Sequence, residues 1–501
     1  MKVRCFLVLS IFLVCALAAH AHVGSPDVYA DGQAGPYRLA IVIRPPVVIP
    51  GVADIEVRSL TPGVRQIGIA PMPLTGEASK HPPVPDTMTQ PSNDPRFFVG
   101  HLWIMATGSW QIRFAVAGDN GPGALAIPLP AVATATRRMQ RGLGVLLSVL
   151  GIVLVLGMIG IVGAAAREAK LPPGDPVIEA NYRFGRIAMV AAGVFLAASV
   201  YLGNVWWNAE AKAYSGYVYK PLRMQASLER GDRLTLKLID PGWLTQRKLD
   251  DFIPDHDHLM HLYLIRWPQM DAVFHLHPEP AGSGEFQLEL PPMPAGDYRL
   301  YADVVHATGF PETVVGSVEL PALAGRKLEG DDAVAIAPPV PDSASSSNFV
   351  SERFALPDGY TMVWKSSGNM TPNQPLNLEF ELLDRNGRPA PDVSLYMGML
   401  GHAAVVKTDG TVFAHIHPNG TVAMAALMMA NSQTPAPGNS PIDMAGMTGM
   451  RMNNEALPST VRFPYGFPSP GRYRIFVQMK HGATVETGVF DANVPDGLHR
   501  L

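Results

Sequence analysis

Two long apolar runs constrain this 501-residue chain more than any other feature of its sequence. The first, at 143–163, contains 21 residues without a charge, and the second, at about 187–207, ends in Val205-Trp206-Trp207. About 20 apolar residues in an α-helix cross a hydrocarbon core of roughly 30 Å, and tryptophan favours the membrane interface. We therefore predict transmembrane helices at 142–166 and 186–207, with buried core helices as the alternative interpretation.

The N-terminus has the pattern of a secretory signal peptide. Basic residues precede an apolar run, and Ala19-His20-Ala21 has the small residues typical of a signal peptidase site. We predict a signal peptide at 1–21. Both cysteines of the chain, Cys5 and Cys15, lie in that segment, so the mature chain would contain no thiol. Soft-metal ligands would then have to be thioethers or imidazoles.

An exported N-terminus predicts the topology of the chain. Residues 22–132 lie outside the cytoplasm, 167–185 form a cytoplasmic loop, and the chain after 207 lies outside again. We expect a bacterial inner-membrane protein whose globular domains are in the periplasm or outside the cell. The net charge of −4 excludes the strongly basic surface that nucleic-acid binding requires, so nucleic acid is not expected as a partner.

Strand patterns fill the regions outside the apolar runs. The 47 glycines, 47 prolines and low charged fraction of 16% suit short strands joined by turns, and segments such as YRLAIVIRP and HLYLIRW are β-branched or alternating. We predict a mainly β protein with three immunoglobulin-like β-sandwich domains outside the membrane plus two transmembrane α-helices. The predicted domains are 22–132, 208–325 and 350–496, and the composition of 326–349 predicts a linker.

A sequence repeat relates the second and third domains. HLYLIRWPQMDAVFHLHP (261–278) aligns with HAAVVKTDGTVFAHIHP (402–418), and PAGDYRLYADVVH (294–306) aligns with SPGRYRIFVQMKH (469–481). Four histidines match in each copy. They are His261, His275, His277 and His306 in the second domain, and His402, His415, His417 and His481 in the third.

The geometry of a β-hairpin predicts that three histidines of each copy converge. Residues i and i+2 of a strand face the same side, so each H-x-H pair shares one face. The Asp409-Gly410 dipeptide predicts a two-residue hairpin loop, which places His402 directly opposite His417. In the second domain the same facing pair requires a three-residue loop at 268–270.

Three or four imidazoles on one face can form a metal site, because imidazole is a ligand for copper, zinc, nickel and iron. Upstream of the facing histidine the copies differ, with His256 and His258 in one and Met397 and Met399 in the other. Mixtures of histidine and methionine favour copper across its two oxidation states. We predict a copper site, with zinc as the second candidate. The alternative is that these histidines are half-exposed strand residues without a metal, and that their proline and aromatic neighbours serve packing.

Methionines cluster between the two repeat blocks of the third domain. The segment MAGMTGMRM has small polar neighbours between its methionines and is not an amphipathic helix stripe. Thioethers can bind Cu(I). We predict four Cu(I) ligands here, Met444, Met447, Met450 and Met452, and the alternative is a flexible loop whose methionines cover an apolar surface.

A further copper ligand is predicted at the mature N-terminus. Cleavage after Ala21 would expose His22, whose amine and imidazole could chelate one Cu(II) ion together. An ordinary residue after a signal peptide is the alternative interpretation.

The histidine-bearing segments resemble a known group of exported domains. HLYLIRWPQMDAVFHLHP, LGHAAVVKTDGTVFAHIHP and SPGRYRIFVQMKHG are similar to YtkA-like and FixH-like bacterial β-sandwich domains. The opening AHAHVGSPDVYADGQAGPYRLAIVIRP also resembles that group, and its His22 resembles the copper-resistance protein C type. The resemblance implies an immunoglobulin-like fold and a role in copper handling or respiratory-oxidase assembly. The first domain departs from the pattern, since it has no HxHP and no counterpart of His306.

The favoured function is a membrane-anchored binding protein that captures or delivers copper at the outer face of the inner membrane. The alternative is a non-metal structural or interaction protein of an inner-membrane respiratory or transport complex. An enzyme is disfavoured, because the chain contains no P-loop, HExxH, GxSxG or GxGxxG signature. The expected partners are the membrane and an inner-membrane oxidase or metal transporter.

Overall fold

A computed structural model describes residues 27–340 except 138, 173, 230 and 245, together with 352–365, 370–432 and 456–496. It confirms the predicted fold class, a mainly β protein with several β-sheet domains and two long apolar helices. The described residues up to Val132 and from Lys220 onwards form one compact unit, and Ala133–Tyr219 form another. The predicted signal peptide, His22 and the predicted Cu(I) ligands lie outside the described residues; those ligands are Met444, Met447, Met450 and Met452.

The first domain is a sandwich of two four-stranded antiparallel sheets. Alternate residues of its strands, such as Ala53, Ile55 and Val57, are buried between the sheets. The sheet orders are β1-β2-β3-β6 and β5-β4-β7-β8, and a 3-10 helix spans Glu77–Lys80. The strands are β1 (Val28–Ala34), β2 (Tyr37–Arg44), β3 (Gly51–Ser59), β4 (Val64–Pro73), β5 (Asp86–Thr87), β6 (Phe97–Ile104), β7 (Gly108–Gly118) and β8 (Gly121–Ala131).

Two helices are long and apolar enough to cross a membrane, α1 (Arg141–Glu168) and α2 (Glu179–Ser215). They extend beyond the predicted spans, because polar residues at their ends also support helix. The buried residue of each helix is a glycine, Gly163 in α1 and Gly185 in α2. Small residues of this kind let two helix backbones approach closely.

The second domain contains ten strands in the order β14-β15-β10-β9-β17-β16-β12-β13-β18, with β11 paired to β16. β9 and β17 are joined by one parallel pair, Arg223 with Val315. The segment 326–349, predicted as a linker, contains a strand that pairs with β13 and buries Ala333 and Ala335. The strands are β9 (Arg223–Glu229), β10 (Arg233–Ile239), β11 (Phe252–Ile253), β12 (His261–Trp267), β13 (Ala272–Leu276), β14 (Glu279–Gly282), β15 (Glu285–Glu289), β16 (Gly296–His306), β17 (Pro311–Leu320) and β18 (Ala333–Ile336).

The third domain is again a two-sheet sandwich. One sheet has the order β19-β20-β21-β25, and the other has β22-β26-β23-β24 with β27 paired to β26. Its elements are β19 (Arg353–Ala355), β20 (Thr361–Trp364), β21 (Leu376–Leu383), β22 (Val393–Ser394), β23 (His402–Lys407), β24 (Phe413–Ile416), α3 (Met424–Ser432), β25 (Thr460–Tyr465), β26 (Gly471–His481) and β27 (Thr484–Val494).

The two repeat copies pack against each other through the outer faces of their sheets. In β12, Leu262 and Leu264 point into the core of the second domain, whereas Tyr263 and Ile265 point outwards. β23 alternates in the same way, so both faces of these strands are buried, which explains their nearly continuous apolar sequence. The outward residues form one buried apolar cluster: Tyr263, Ile265, Met270, Val273, Tyr301, Ala335, Ala404, Val406, Phe413, Phe476 and Val489.

Candidate metal centre

Eight imidazole rings form one continuous cluster between the second and third domains. Neighbouring ring centroids are separated by 3.8 Å for the closest pair, His258 and His277, and by 6.1 Å for His256 and His261. The members are His256, His258, His261, His275, His277, His402, His415 and His417. Six of the eight repeat histidines predicted from the sequence are therefore brought together, three from each domain.

The hairpin registers that bring the histidines together are confirmed. Leu262 pairs with Leu276 in the second domain. Ala403 pairs with Ile416 in the third. Continued by one residue, these registers place the facing histidines opposite each other, His261 with His277 and His402 with His417. The register of each hairpin therefore agrees with the prediction, but backbone hydrogen bonds close the third-domain loop at Lys407 and Val412 and not at the residues that flank Asp409-Gly410.

One ligand group contains His261, His275 and His277 of the second domain. One ring nitrogen of each lies within 4.8 Å of the others. Nε2 of His261 lies 2.9 Å from the carbonyl oxygen of Asp255, which can only accept a hydrogen bond. Nδ1 of His261 therefore carries a lone pair, and it lies 3.2 Å from Nε2 of His275.

Nε2 of His275 carries a lone pair as well. Nδ1 of this ring lies 2.8 Å from Oε1 of Gln478 and donates to it, which leaves Nε2 unprotonated. Two lone pairs cannot hydrogen-bond to each other. Two nitrogen ligands of one tetrahedral metal ion, each about 2.0–2.1 Å from the metal, are about 3.3 Å apart. The separation between His261 and His275 fits two ligands of one ion.

A second ligand group combines residues of both domains. Its members are His402 and His417 of the third domain and His256 of the second, with ring nitrogens within 4.8 Å of one another. Nδ1 of His256 donates to the carbonyl oxygen of Met397 at 2.8 Å, so Nε2 keeps its lone pair. This group is complete only when the two domains are packed together.

His415 lies between the two groups. Its ring centroid is 5.6 Å from His275 in the first group and 4.6 Å from His417 in the second. Nδ1 of His415 is held 3.2 Å from Oδ2 of Asp303, and its Nε2 remains available. The two groups therefore lie side by side in one cluster, with the His415 ring between them.

Oxygen acceptors outside the cluster fix the orientation of its rings. Besides the contacts already described, Nδ1 of His277 lies 3.0 Å from Oδ1 of Asp332. Acceptors of this kind select the tautomer of a metal-binding histidine and orient its free nitrogen towards the metal. The pattern leaves unprotonated nitrogens directed into the cluster.

Several ring nitrogens are buried without a hydrogen-bond partner among the described residues. They include Nε2 of His256, His277, His402 and His415. His402 is fully buried, and neither of its ring nitrogens has a partner in that part of the chain. An unpaired buried polar group costs about 1–3 kcal/mol, so these positions are unfavourable for stability alone.

The electrostatics of the cluster keep its rings neutral. Burial lowers the pKa of His261, His275, His402 and His417 well below the ordinary histidine value, and repulsion from neighbouring imidazoles lowers it further. A neutral imidazole is the form that binds metal. These rings are therefore in the ligand form at neutral pH without having to lose a proton.

His306 and His481 do not join the cluster. They lie in β16 and β26, three residues after Asp303 and Gln478, whose side chains contact cluster histidines. Because side chains alternate along a strand, an offset of three puts both histidines on the opposite face of the sheet. The repeat matched these two histidines with the other six, but it did not show that they face the other side of the sheet.

His256 and His258 belong to the cluster although the sequence prediction did not include them in the ligand set. They lie in the loop between β11 and β12. The ring of His258 stacks on that of His277. Their H-x-H spacing directly before His261 was the signal that could have identified them.

Comparisons with known proteins add little to this description. Residues 355–496, less than half of the chain, match a family model described as "Domain of unknown function (DUF8832)". No curated protein matches the chain.

Solved structures resemble the chain only weakly. The BSP domain of a biofilm associated protein has a TM-score of 0.14 and 7% identity, over 98% of this chain and 70% of that one. Dimeric latent PorU from Porphyromonas gingivalis has a TM-score of 0.14 and 6% identity, over 94% and 34%. Surface layer protein SbsC, domains 1–6, has a TM-score of 0.13 and 9% identity, over 90% and 53%. Scores this low do not define a shared fold.

Proposed function

We propose that this protein is a membrane-anchored, extracytoplasmic copper-binding protein that captures or delivers copper through histidine and methionine ligands. The observation that carries the proposal is the pair of lone pairs on Nδ1 of His261 and Nε2 of His275, 3.2 Å apart. Without a proton or a cation between them these atoms repel each other. A bound metal ion turns the same arrangement into two coordinate bonds.

The alternative of a purely structural cluster is less consistent with these contacts. Buried polar groups that stabilise a fold are hydrogen-bonded, whereas His402 has no partner among the described residues and is fully buried. Placing it beside His256 and His417 lowers stability unless a ligand compensates. Metal binding supplies that compensation.

Copper is favoured over zinc by the chemistry of the ligands. The two three-histidine groups offer only neutral nitrogens, which accept Cu(I), Cu(II) and Zn(II). Thioethers are soft ligands and select Cu(I). The methionine segment at 444–452 therefore adds a preference that a zinc protein would not need.

The described helix α3 connects the centre to the chain that carries this methionine segment. The backbone N–H of Ala425 donates to Oδ1 of Asp255 at 2.6 Å. Asp255 directly precedes His256 in the sequence. Asn431 near the other end of α3 hydrogen-bonds to the backbone of Ala126 in β8. Helix α3 therefore contacts both the first domain and the loop that carries His256.

Metal entry is expected at His258, a partly exposed ring of the cluster, whose side chain is 24% exposed. Its Nε2 lies 3.5 Å from Oδ2 of Asp331, and its ring stacks on that of His277. The carboxylate of Asp331 attracts a cation to His258, and the stacked ring of His277 connects His258 to the buried histidines of the cluster. The expected donor or recipient is an inner-membrane oxidase or a metal transporter.

The test of the ligands is X-ray absorption at the copper edge of the full-length protein loaded with one copper equivalent. The proposal predicts nitrogen neighbours with imidazole scattering, and the loss of that signal in a His261→Leu, His402→Leu double variant. Unchanged imidazole scattering in the double variant would contradict the assignment. His101→Leu, at an exposed histidine of the first domain, is the matched control.

The extracytoplasmic orientation has its own test. Single cysteines at Gly174, between α1 and α2, and at the exposed Glu279 should react differently with a membrane-impermeant thiol reagent in spheroplasts. The cysteine at Glu279 is expected to react and the one at Gly174 to be protected. The reverse result would place the histidine cluster in the cytoplasm and exclude periplasmic copper capture.

A further inference from the structure

A second group of potential ligands lies on the opposite face of the β26 sheet from the histidine cluster, on the side that faces the core of the third domain. Asp358, His481 and Glu486 each offer one atom within 4.8 Å of the others. They come from the turn between β19 and β20, from the end of β26 and from β27. Nε2 of His481 is 3.0 Å from Oδ2 of Asp358.

The orientation of His481 is fixed from its other side. Nδ1 of its ring lies 3.3 Å from Oδ2 of Asp392, and the ring of Tyr360 stacks on it at 3.9 Å. A carboxylate on Nδ1 leaves Nε2 as the atom that faces Asp358 and Glu486. Tyr360 also donates its hydroxyl to Asp392, which holds this carboxylate in place.

The second domain contains the corresponding arrangement around His306. Strand pairing makes Phe252 the counterpart of Val393, so Asp251 corresponds to Asp392. The pairing of β16 with β17 and of β26 with β27 likewise makes Glu312 the counterpart of Glu486. His306 contacts both of its carboxylates, at 2.8 Å for Asp251 and 3.3 Å for Glu312.

The two copies differ in the cation that balances these carboxylates. In the second domain Nη1 of Arg247 lies 2.7 Å from Glu312, so a guanidinium of the chain neutralises the buried acid. In the third domain no lysine or arginine side chain within the described ranges forms an ion pair with Asp358, Asp392 or Glu486. Arg385 donates only to the backbone carbonyl oxygen of Asp358.

Glu486 is the strongest sign that a ligand belongs here. The residue is 7% exposed, and its carboxylate has no hydrogen bond or ion pair to any residue that the structure describes. A largely buried carboxylate without a partner is unfavourable, and a cation beside it offsets the cost. Its oxygen is directed at the same point as His481 and Asp358.

We propose that Asp358, His481 and Glu486 bind a divalent cation that replaces the internal guanidinium of the second domain. Two carboxylates and one imidazole suit a harder ion, of the manganese or zinc class, and not Cu(I). Asp392 positions His481 through Nδ1 and is not itself a ligand in this arrangement. The site is independent of the histidine cluster in position and in ligand chemistry.

Manganese tests this site selectively, since Mn²⁺ prefers carboxylate oxygen and binds poorly to purely imidazole sites. The experiment titrates the full-length protein in detergent with Mn²⁺ and follows the free ion by electron paramagnetic resonance. The wild-type chain is expected to bind about one ion, and Glu486→Gln to weaken binding by at least about tenfold. Glu379→Gln, at a half-buried glutamate paired with Arg462, is the matched control.

Two further variants keep the test decisive. Asp358→Asn changes a turn residue and should weaken Mn²⁺ binding even if Glu486→Gln were to fold poorly. The His261→Leu, His402→Leu double variant should leave Mn²⁺ binding unchanged, which separates this site from the copper proposal. Mn²⁺ affinity that is unaltered in both Glu486→Gln and Asp358→Asn would overturn the inference.

Discussion

Nδ1 of His275 donates to Oε1 of Gln478 across the contact between the second and third domains, at 2.8 Å. Asp303 of the second domain has the reciprocal contact with His415 of the third, at 3.2 Å. Each domain therefore orients a cluster imidazole of the other. The centre is a property of the packed pair of domains.

Replacing Gln478 by leucine should weaken copper binding, because His275 would lose the acceptor that selects its tautomer. Loss of such an outer partner typically reduces metal affinity by roughly 10–100-fold. Copper affinity measured by chelator competition tests this, with Gln66→Leu, at an exposed glutamine of the first domain, as the control. Equal affinities for both variants and the wild type would exclude a role for Gln478 in the centre.

Replacing His402 by leucine should have opposite effects on stability and on metal binding. The metal-free variant should be more stable by about 1–3 kcal/mol, because leucine removes two unpaired buried nitrogens. The same change should abolish binding at the group that contains His256 and His417. Thermal unfolding with and without copper measures both effects. Destabilisation of the metal-free form would instead indicate a structural histidine.

The pH dependence of stability follows from the lowered pKa values of the cluster. The folded rings stay neutral where the unfolded histidines, with an ordinary pKa of 6.5, already bind protons. The unfolded state therefore binds more protons, and the cluster destabilises the metal-free protein as the pH falls from about 7.5 to about 5.5. His402→Leu should show a smaller loss over that range. Carboxylates and His306 titrate in both proteins, so their contributions cancel in the comparison.

The methionine segment allows copper to be distinguished from zinc. Replacing Met444, Met447, Met450 and Met452 together by leucine should weaken Cu(I) binding and leave Cu(II) binding at the histidines nearly unchanged. Leucine keeps the apolar volume, and such swaps usually cost less than about 1.5 kcal/mol. Anaerobic Cu(I) competition is the measurement. Unaltered Cu(I) affinity would leave these methionines as a covering loop and remove the main support for copper over zinc.

The sequence predicted the local geometry of the centre but not its assembly. The period of two and the hairpin loops were enough to place His402 opposite His417, because both depend on residues close in the chain. The joining of the two domains depends on Tyr263 and Phe413 meeting across 150 positions of sequence, which no local pattern encodes. His256 was left out of the predicted ligand set for a related reason, since it lies in a loop and meets His402 and His417 only across the domain contact.

The metal content of the full-length protein tests the central claim most directly. In protein purified from copper-supplemented cells, the cluster should hold about two copper ions per chain, one for each three-histidine group. His261→Leu should therefore contain about one copper ion fewer than the wild type, and the His261→Leu, His402→Leu double variant about two fewer, as measured by mass spectrometry. His101→Leu should match the wild type. An unchanged copper content in the double variant, or zinc in place of copper in the wild type, would contradict the account.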